Sequence, residues 1–376
     1  MSAISSCRIF VRDVVRCEHI LTSRFGGRHK LSSSAASNNT QQNVFNREIK
    51  LSQRTGAAFL DTTEYDYFKD EISRRLVDRL DDIKRESGFP LALDIGSGSG
   101  HIHRAICAEE SFEGFGGIGG VRKLVQMDFC EASLMRDENA KRDIPGSERC
   151  DTYRLSANEE EELPFPDGTF DLVMSSVALH QMNDLPKLFQ EIKRVLKDDG
   201  CLMFAMVGGS TLSELRSSMV LAEIERDGGV SPHVGPFVDV SDVGSLLVAA
   251  GFQLPTIDVD TINLGFSDAF LLMEHLQRMG EGNASSGRKD RVGINTFLAT
   301  ASIYQELFPL DSDHADGSDT SYADSDVHAS VQIIYAIGWT PHESQQKPLD
   351  RGSASHKIGE DVVVTSSKSS PNGESN

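Results

Sequence analysis

From about Phe89 onward, short apolar runs alternate with segments whose apolar positions recur at helical spacing, the pattern of βαβ units and a parallel sheet. Residues 90–95 read as a first strand, 123–128 as a second, 151–156 as a weaker third and 170–175 as a fourth. The clearest helix spans 184–197, where Leu185, Leu188, Phe189, Ile192, Val195 and Leu196 share a face, Asp184 can cap the start and Gly200 follows the end. Residues 201–207 form a fifth, buried strand. Thr211 and Glu214 then stand at capping-box spacing before a helix reaching about Arg226. Further on, the pattern predicts a short helix over 242–250 stopped at Gly251, a strand near 257–264, helices near 268–279 and 291–307, and a last strand over 331–337. The acidic, Ser-rich stretch 311–326 misses the spacing of a calcium loop and reads as a solvated insertion. The tail over 346–376, rich in Ser, Lys and Gly, reads as largely disordered.

At 376 residues the chain can bury a substantial core. No apolar run approaches the roughly 20 residues that span a bilayer. A net charge of −20 argues against a broad nucleic-acid surface, while leaving a basic protein segment open as substrate. Cys7, Cys17, Cys107, Cys130, Cys150 and Cys201 are scattered, with no C-x-x-C pair and no His at zinc spacing. The last four read as reduced thiols, and no metal is expected. The first 43 residues differ in kind: Arg8, Arg12, Arg16, Arg24, Arg28 and Lys30 face only Asp13 and Glu18. Arg8, Arg12 and Arg16 fall on one helical face, with Ile9, Phe10, Val14 and Val15 available for the other. That is the pattern of a mitochondrial transit peptide, with a disordered basic tail as the alternative.

The candidate chemistry begins at Asp94-Ile-Gly96-Ser-Gly98-Ser-Gly100, where a strand turns into a helix. Glycines there admit a ligand close to the backbone and present N–H donors. The tight spacing departs from the dinucleotide pattern G-x-G-x-x-G and suits an amino-acid-bearing ligand without a pyrophosphate, whose ammonium Asp94 could orient. Asp128 ends the second strand, where an acid takes both ribose hydroxyls. It lies 34 residues beyond Asp94, and the Gly-rich stretch 113–120 accounts for the excess over the usual spacing. Asn158 or Glu159, after the third strand, is placed for an adenine amine. Ser97 and Ser175 complete the cofactor set. Each acid alone reads as an ordinary strand-end residue; three in order after successive strands are harder to obtain by accident.

With that glycine motif, the segments Leu163-Pro-Phe-Pro-Asp-Gly-Thr-Phe-Asp-Leu-Val173, Ser175-Ser-Val-Ala-Leu-His180 and Arg194-Val-Leu-Lys-Asp-Asp-Gly200 resemble the class I S-adenosylmethionine-dependent methyltransferases. Asn43-Val-Phe-Asn-Arg-Glu48, Tyr65-Asp-Tyr-Phe-Lys69, Thr211-Leu-Ser-Glu-Leu-Arg216, 228–237 and Trp339-x-x-His342-Glu-Ser-Gln345 resemble a narrower group, the mitochondrial complex I assembly factors described as protein-arginine hydroxylases. The likeness runs over about 43–354. It implies an α/β, Rossmann-like fold with a central, mostly parallel seven-stranded sheet, one domain over 44–345 with a cofactor half (89–208) and a substrate-covering half (209–345). It further implies S-adenosyl-L-methionine as cofactor and an arginine of a complex I subunit or assembly intermediate as target. The place of action would be the mitochondrial matrix, with a peripheral inner-membrane association open. Gln181 departs from the Trp more usual at that position, and 311–326 is longer than the group leads one to expect.

Three residues stand as catalytic candidates, each with a plainer reading. His180 is a base or a packing residue; Glu214 a partner for a substrate guanidinium or a helix cap; Arg216 a carboxylate clamp or a surface residue. The loop 231–237, with Pro232 and Pro236, can cover a substrate or simply turn. No two-His, one-carboxylate iron set is advertised, so hydroxylation rests on the resemblance, while methylation follows from the fold. Two other readings stand beside it: a methyltransferase on a small or carrier-bound acid, since 179–186 and 211–216 also resemble the malonyl-carrier-protein methyltransferases, and a non-catalytic cofactor-binding assembly chaperone.

Overall fold

The computed structural model describes residues 43–60, 63–83, 85, 87–108, 117–289, 291–310 and 326–345. The expectations for the transit segment, the acidic insertion and the tail fall outside these residues, apart from Asn43 and Asp326, as does the first half of the stretch 113–120. Seven strands, β1 (Leu91–Ile95), β2 (Lys123–Asp128), β3 (Asp151–Ser156), β4 (Phe170–Ser176), β5 (Leu196–Val207), β6 (Gln253–Phe266) and β7 (Val327–Trp339), form one sheet in the order β3-β2-β1-β4-β5-β7-β6. Pairing is parallel from β3 through β5, and β7 runs antiparallel to both of its neighbours. This is the mostly parallel seven-stranded sheet that the resemblance implies.

Helices α1 (Arg47–Phe59), α2 (Tyr67–Asp78), α3 (His101–Ala108), α4 (Glu131–Leu134), α5 (Arg136–Asn139), α6 (Leu185–Val195), α7 (Ser213–Arg226), α8 (Val240–Ala250), α9 (Ala269–Arg278) and α10 (Ile294–Leu307) surround the sheet. Successive side chains of a strand point to opposite faces, so β5 divides its apolar residues between two cores. Cys201, Met203 and Ala205 join Ile72 and Leu76 of α2, Ile106 of α3 and Tyr304 of α10 on one side. Leu202, Phe204 and Met206 join Leu188, Phe189 and Ile192 of α6 and Leu247 of α8 on the other. Each such fully buried large side chain contributes about 1.5–3 kcal/mol of transfer free energy.

Strands β1 to β4 lie within one residue of expectation, and Asp184 caps α6 by accepting from Lys187 N at 3.1 Å. Three differences have clear causes. Helix α6 ends at Val195 because Leu196 already pairs with Phe170 of β4 before the register shifts to Leu172 and Cys201. The capping box does not form. Leu212 starts α7 in a left-handed conformation (φ 52) without a side-chain cap. Thr211 Oγ1 instead donates to the Gln332 carbonyl (3.2 Å) and Glu214 accepts from Ser330 Oγ (2.6 Å), so β7 fixes the start of this helix. Helices α1 and α2, finally, are additions to the pattern read from the sequence. Residues 342–345 form a separate short turn closed by Gln345 N on the His342 carbonyl (3.3 Å).

Candidate functional site

Strand order reverses between β1 and β4, and the crevice beyond the C-terminal ends of such strands is where α/β sheets bind ligands. Asp94 stands there near the end of β1 with no solvent exposure, and neither carboxylate oxygen has a hydrogen-bond partner. Burial, reinforced by the charge of Asp128, pushes its pKa well above the ordinary carboxylate range. A buried carboxylate left unpaired costs folding free energy, and a cationic ligand would relieve that cost.

The turn that follows approaches closely. Gly96 is left-handed (φ 69), and a Cβ there would lie 2.3 Å from that of Ala178. Gly98 (φ 55) donates its N–H to Asp128 Oδ2 at 2.9 Å, while Gly100 (φ 91) donates to the Ser97 carbonyl at 3.0 Å. Ser97 Oγ is buried without a partner. Ser175 differs: its hydroxyl donates to the Ile95 carbonyl (2.7 Å), which ties β4 to the end of β1 and leaves the side chain no free donor.

Asp128 is fully buried and accepts from Gly98 N, Cys130 N (2.8 Å) and Arg54 Nη1 (3.2 Å). Glu159, also fully buried, accepts from Phe129 N (3.0 Å) and Arg47 Nη2 (2.7 Å). Desolvation and Asp128 push its pKa up to about 7 against the pull of Arg47. Asn158 is exposed, with Arg47 Nη2 3.4 Å from its Oδ1. The Arg47 guanidinium also lies 3.8 Å over the Phe129 ring. The acids after β1, β2 and β3 thus converge, and α1 lays its arginines over two of them. Arg54 and Lys69 line the niche beside Gly96 and Gly98, which holds only about 50 Å³.

A far larger cavity, about 1360 Å³, opens next to it between α1, α7, α9 and the 231–237 loop. Val177 lines both spaces in a left-handed conformation (φ 52) that a β-branched residue adopts only where its surroundings impose it. His180 lines the cavity while 4% exposed; burial, with Lys50, Arg54 and Lys69 nearby, pushes its pKa down to about 3. The imidazole is therefore neutral and a weak base. Gln181 Nε2 donates to Glu281 Oε2 and lies 3.0 Å from His180 Nε2, which makes that ring nitrogen the acceptor and leaves the proton on Nδ1. Glu281 in turn is held by Lys50 Nζ (2.9 Å) and Lys69 Nζ (2.7 Å).

Of the three catalytic candidates, only His180 reaches this cavity. Glu214 is buried behind its wall on Ser330. Arg216 is exposed and lines a separate hollow of about 620 Å³ that shares the 231–237 loop. The loop itself is tied down by Glu223, which accepts from Ser231 N, Ser231 Oγ and Lys289 Nζ and lies 3.0 Å from His233 Nε2. Asp66, Asp70 and His101 bring ligand-type atoms within 4.8 Å of one another, but Arg104 and Arg136 occupy the carboxylates, so the group is a charge network.

Sequence reasoning missed Arg47, Lys50, Arg54, Lys69 and Glu281. A signal existed for the first three. They fall at i, i+3 and i+7 behind Asn46, which caps α1 by accepting from Glu48 N and Ile49 N, so the helix turns a cationic face inward.

A family profile described as a methyltransferase domain matches residues 93–204. The chain is 42% identical over 340 residues to the Rattus norvegicus protein named arginine-hydroxylase NDUFAF5, mitochondrial, covering 89% of this chain and 90% of that one. It is 42% identical over 319 residues to the Homo sapiens protein of that name, covering 85% and 83%. The malonyl-[acyl-carrier protein] O-methyltransferase of Methylovorus sp. is 29% identical over 271 residues, covering 72% and 81%.

Proposed function

The chain belongs to the family of the mitochondrial arginine-hydroxylases, and from that premise we propose that it is a mitochondrial, S-adenosylmethionine-binding enzyme that modifies an arginine of a respiratory complex I subunit during assembly. The observation that carries the cofactor is Asp94, a buried, unpaired carboxylate at a glycine turn beside a large cavity. The donor set fits the cofactor's chemistry. Asp94 takes the ammonium, Asp128 the ribose hydroxyls, and Glu159 with Asn158 the adenine amine, while Gly96, Ser97, Gly98 and Gly100 form the turn that lets it approach. When bound, the cofactor supplies a methyl group on a sulfonium together with a fixed positive charge. The chain's own part is to orient the target arginine and exclude water: His180 offers a neutral N–H, and the apolar walls hold the methylene stem.

Intact-peptide mass spectrometry of complex I subunits, from cells with and without this protein, tests the reading. Loss of one oxygen's mass from one arginine would support hydroxylation and loss of one methylene's mass would establish methyl transfer; either bears out an arginine-modifying enzyme. Unchanged subunits with normal assembly would overturn the reading in favour of a small-acid methyltransferase, and unchanged subunits with failed assembly in favour of a chaperone. The same reading makes residues 1–43 the transit peptide of a mitochondrial matrix protein. No helix among the described residues is long and apolar enough to cross a membrane. Deleting residues 1–42 is expected to leave the protein outside mitochondria, and normal import of the shortened chain would refute the assignment.

A further inference from the structure

The cavity beside the cofactor niche has one charged group deep in its wall whose chemistry matches an arginine. Among its described lining residues the acids are Glu274 and Glu281. The Glu274 side chain is 48% exposed, the Glu281 side chain 11%. Local sequence fixes where Glu281 stands. Gly280, left-handed at φ 73, ends α9; its N–H donates to the Gln277 carbonyl (3.0 Å), and Glu281 N donates to Leu276 O (2.8 Å), a Schellman closure. Gly280 also packs on α1, where a Cβ would meet Arg54 Cα at 3.4 Å. The carboxylate is thereby delivered next to Gln181 and His180, at the cofactor end of the cavity.

We infer that Glu281 is the group that receives the guanidinium of the substrate arginine, and that Lys50 and Lys69 neutralise it when the cavity is empty. This rests on the arginine-modifying reading above and names the residue that would select that side chain. Position supports it. Lys69 lies 2.7 Å from Glu281 and lines the niche beside Gly96 and Gly98, so a guanidinium at Glu281 lies close to the glycine turn. Chemistry supports it as well. Each lysine offers a point charge, while a planar guanidinium presents two parallel N–H donors that match a carboxylate. Burial brings the pKa of Lys50 down to about 8, so its charge is held less firmly than that of an ordinary lysine. Phe45, Val207, Leu212 and Phe237 line the same cavity and suit the methylene stem of the arriving side chain.

The opposing view is that Glu281 merely pins α1 and α2, its lysines donating also to the Gly280 and Met279 carbonyls. Two variants separate the ideas. The full chain, loaded with S-adenosylmethionine, is titrated with N-acetyl-arginine methylamide and with its neutral isostere, N-acetyl-citrulline methylamide. The wild type should prefer the arginine probe by about tenfold or more. Glu281→Gln should abolish that preference. Lys50→Met should keep or strengthen it, although it breaks the same ion-pair network. Equal loss in both variants would reduce Glu281 to a structural tie. A preference that survives Glu281→Gln would overturn the inference and leave the arginine reading standing. A wild type without any preference would overturn the two together.

Discussion

Asp94→Asn is expected to melt above the wild type when no cofactor is present, and to bind S-adenosylmethionine about a hundredfold more weakly. Both effects come from one carboxylate, fully buried and without a partner on either oxygen. In the folded chain its pKa stands well above its value in an unfolded one. Between those two values the folded state binds more protons, so stability falls as pH rises toward neutrality. The amide has the same shape and is neutral at every pH, so it avoids the cost of burying or protonating the carboxyl, and the gain at pH 7 should be about 1–3 kcal/mol, or a few degrees in Tm for a chain of this size. Melting curves at pH 5 and pH 8 provide the check: the wild type should lose stability across that interval more steeply than the variant. Unchanged cofactor affinity in Asp94→Asn would sink the cofactor assignment. On the proposed function this is a stability cost carried for cofactor binding, which would account for an acid in a strand of the central sheet.

The contrast between Asp94 and α1 shows what the sequence made legible. Strand ends carry their acids at fixed offsets from apolar runs, so Asp94, Asp128 and Glu159 could be found from periodicity and turn chemistry alone. Helix α1 is passed over despite its Asn46 cap, because the residues it buries are Lys50 and Arg54, and a search for an apolar stripe misses a charged face. Glu214 failed for a related reason. Its spacing from Thr211 satisfies a local rule, but β7 offers both side chains better partners, and tertiary pairing overrode the cap. Glu281 carries only a weak local mark, the Met-Gly-Glu after an amphipathic helix. Its two lysines lie more than 200 residues away, and no local pattern links them. Long-range charge pairing is the part of this site that periodicity does not encode.

Arg54→Met should lower the Tm of the cofactor-free chain while enlarging the rise produced by saturating S-adenosylmethionine. Arg54 is 7% exposed, and its Nη1 lies 3.2 Å from the fully buried Asp128. Methionine keeps the length of the stem and removes the charge, leaving Asp128 with the N–H groups of Gly98 and Cys130 alone. Breaking a buried pair from one side costs about 3–5 kcal/mol, which for a chain of this size is a Tm loss of roughly 10 °C. On the proposed binding mode the cofactor would bring the missing compensation: hydroxyl donors for Asp128 and two positive charges among three clustered acids. Its stabilisation, about 2.7 kcal/mol at a hundred times Kd, should therefore be larger in the variant, because the reference state it relieves is worse. A smaller rise than in the wild type would make Arg54 a group that helps to hold the cofactor. An unchanged Tm without cofactor would mean that the ion pair contributes nothing to holding α1. In the expected case, the acids that bind the cofactor also hold the first helix, so that cofactor occupancy and the position of α1 are one equilibrium.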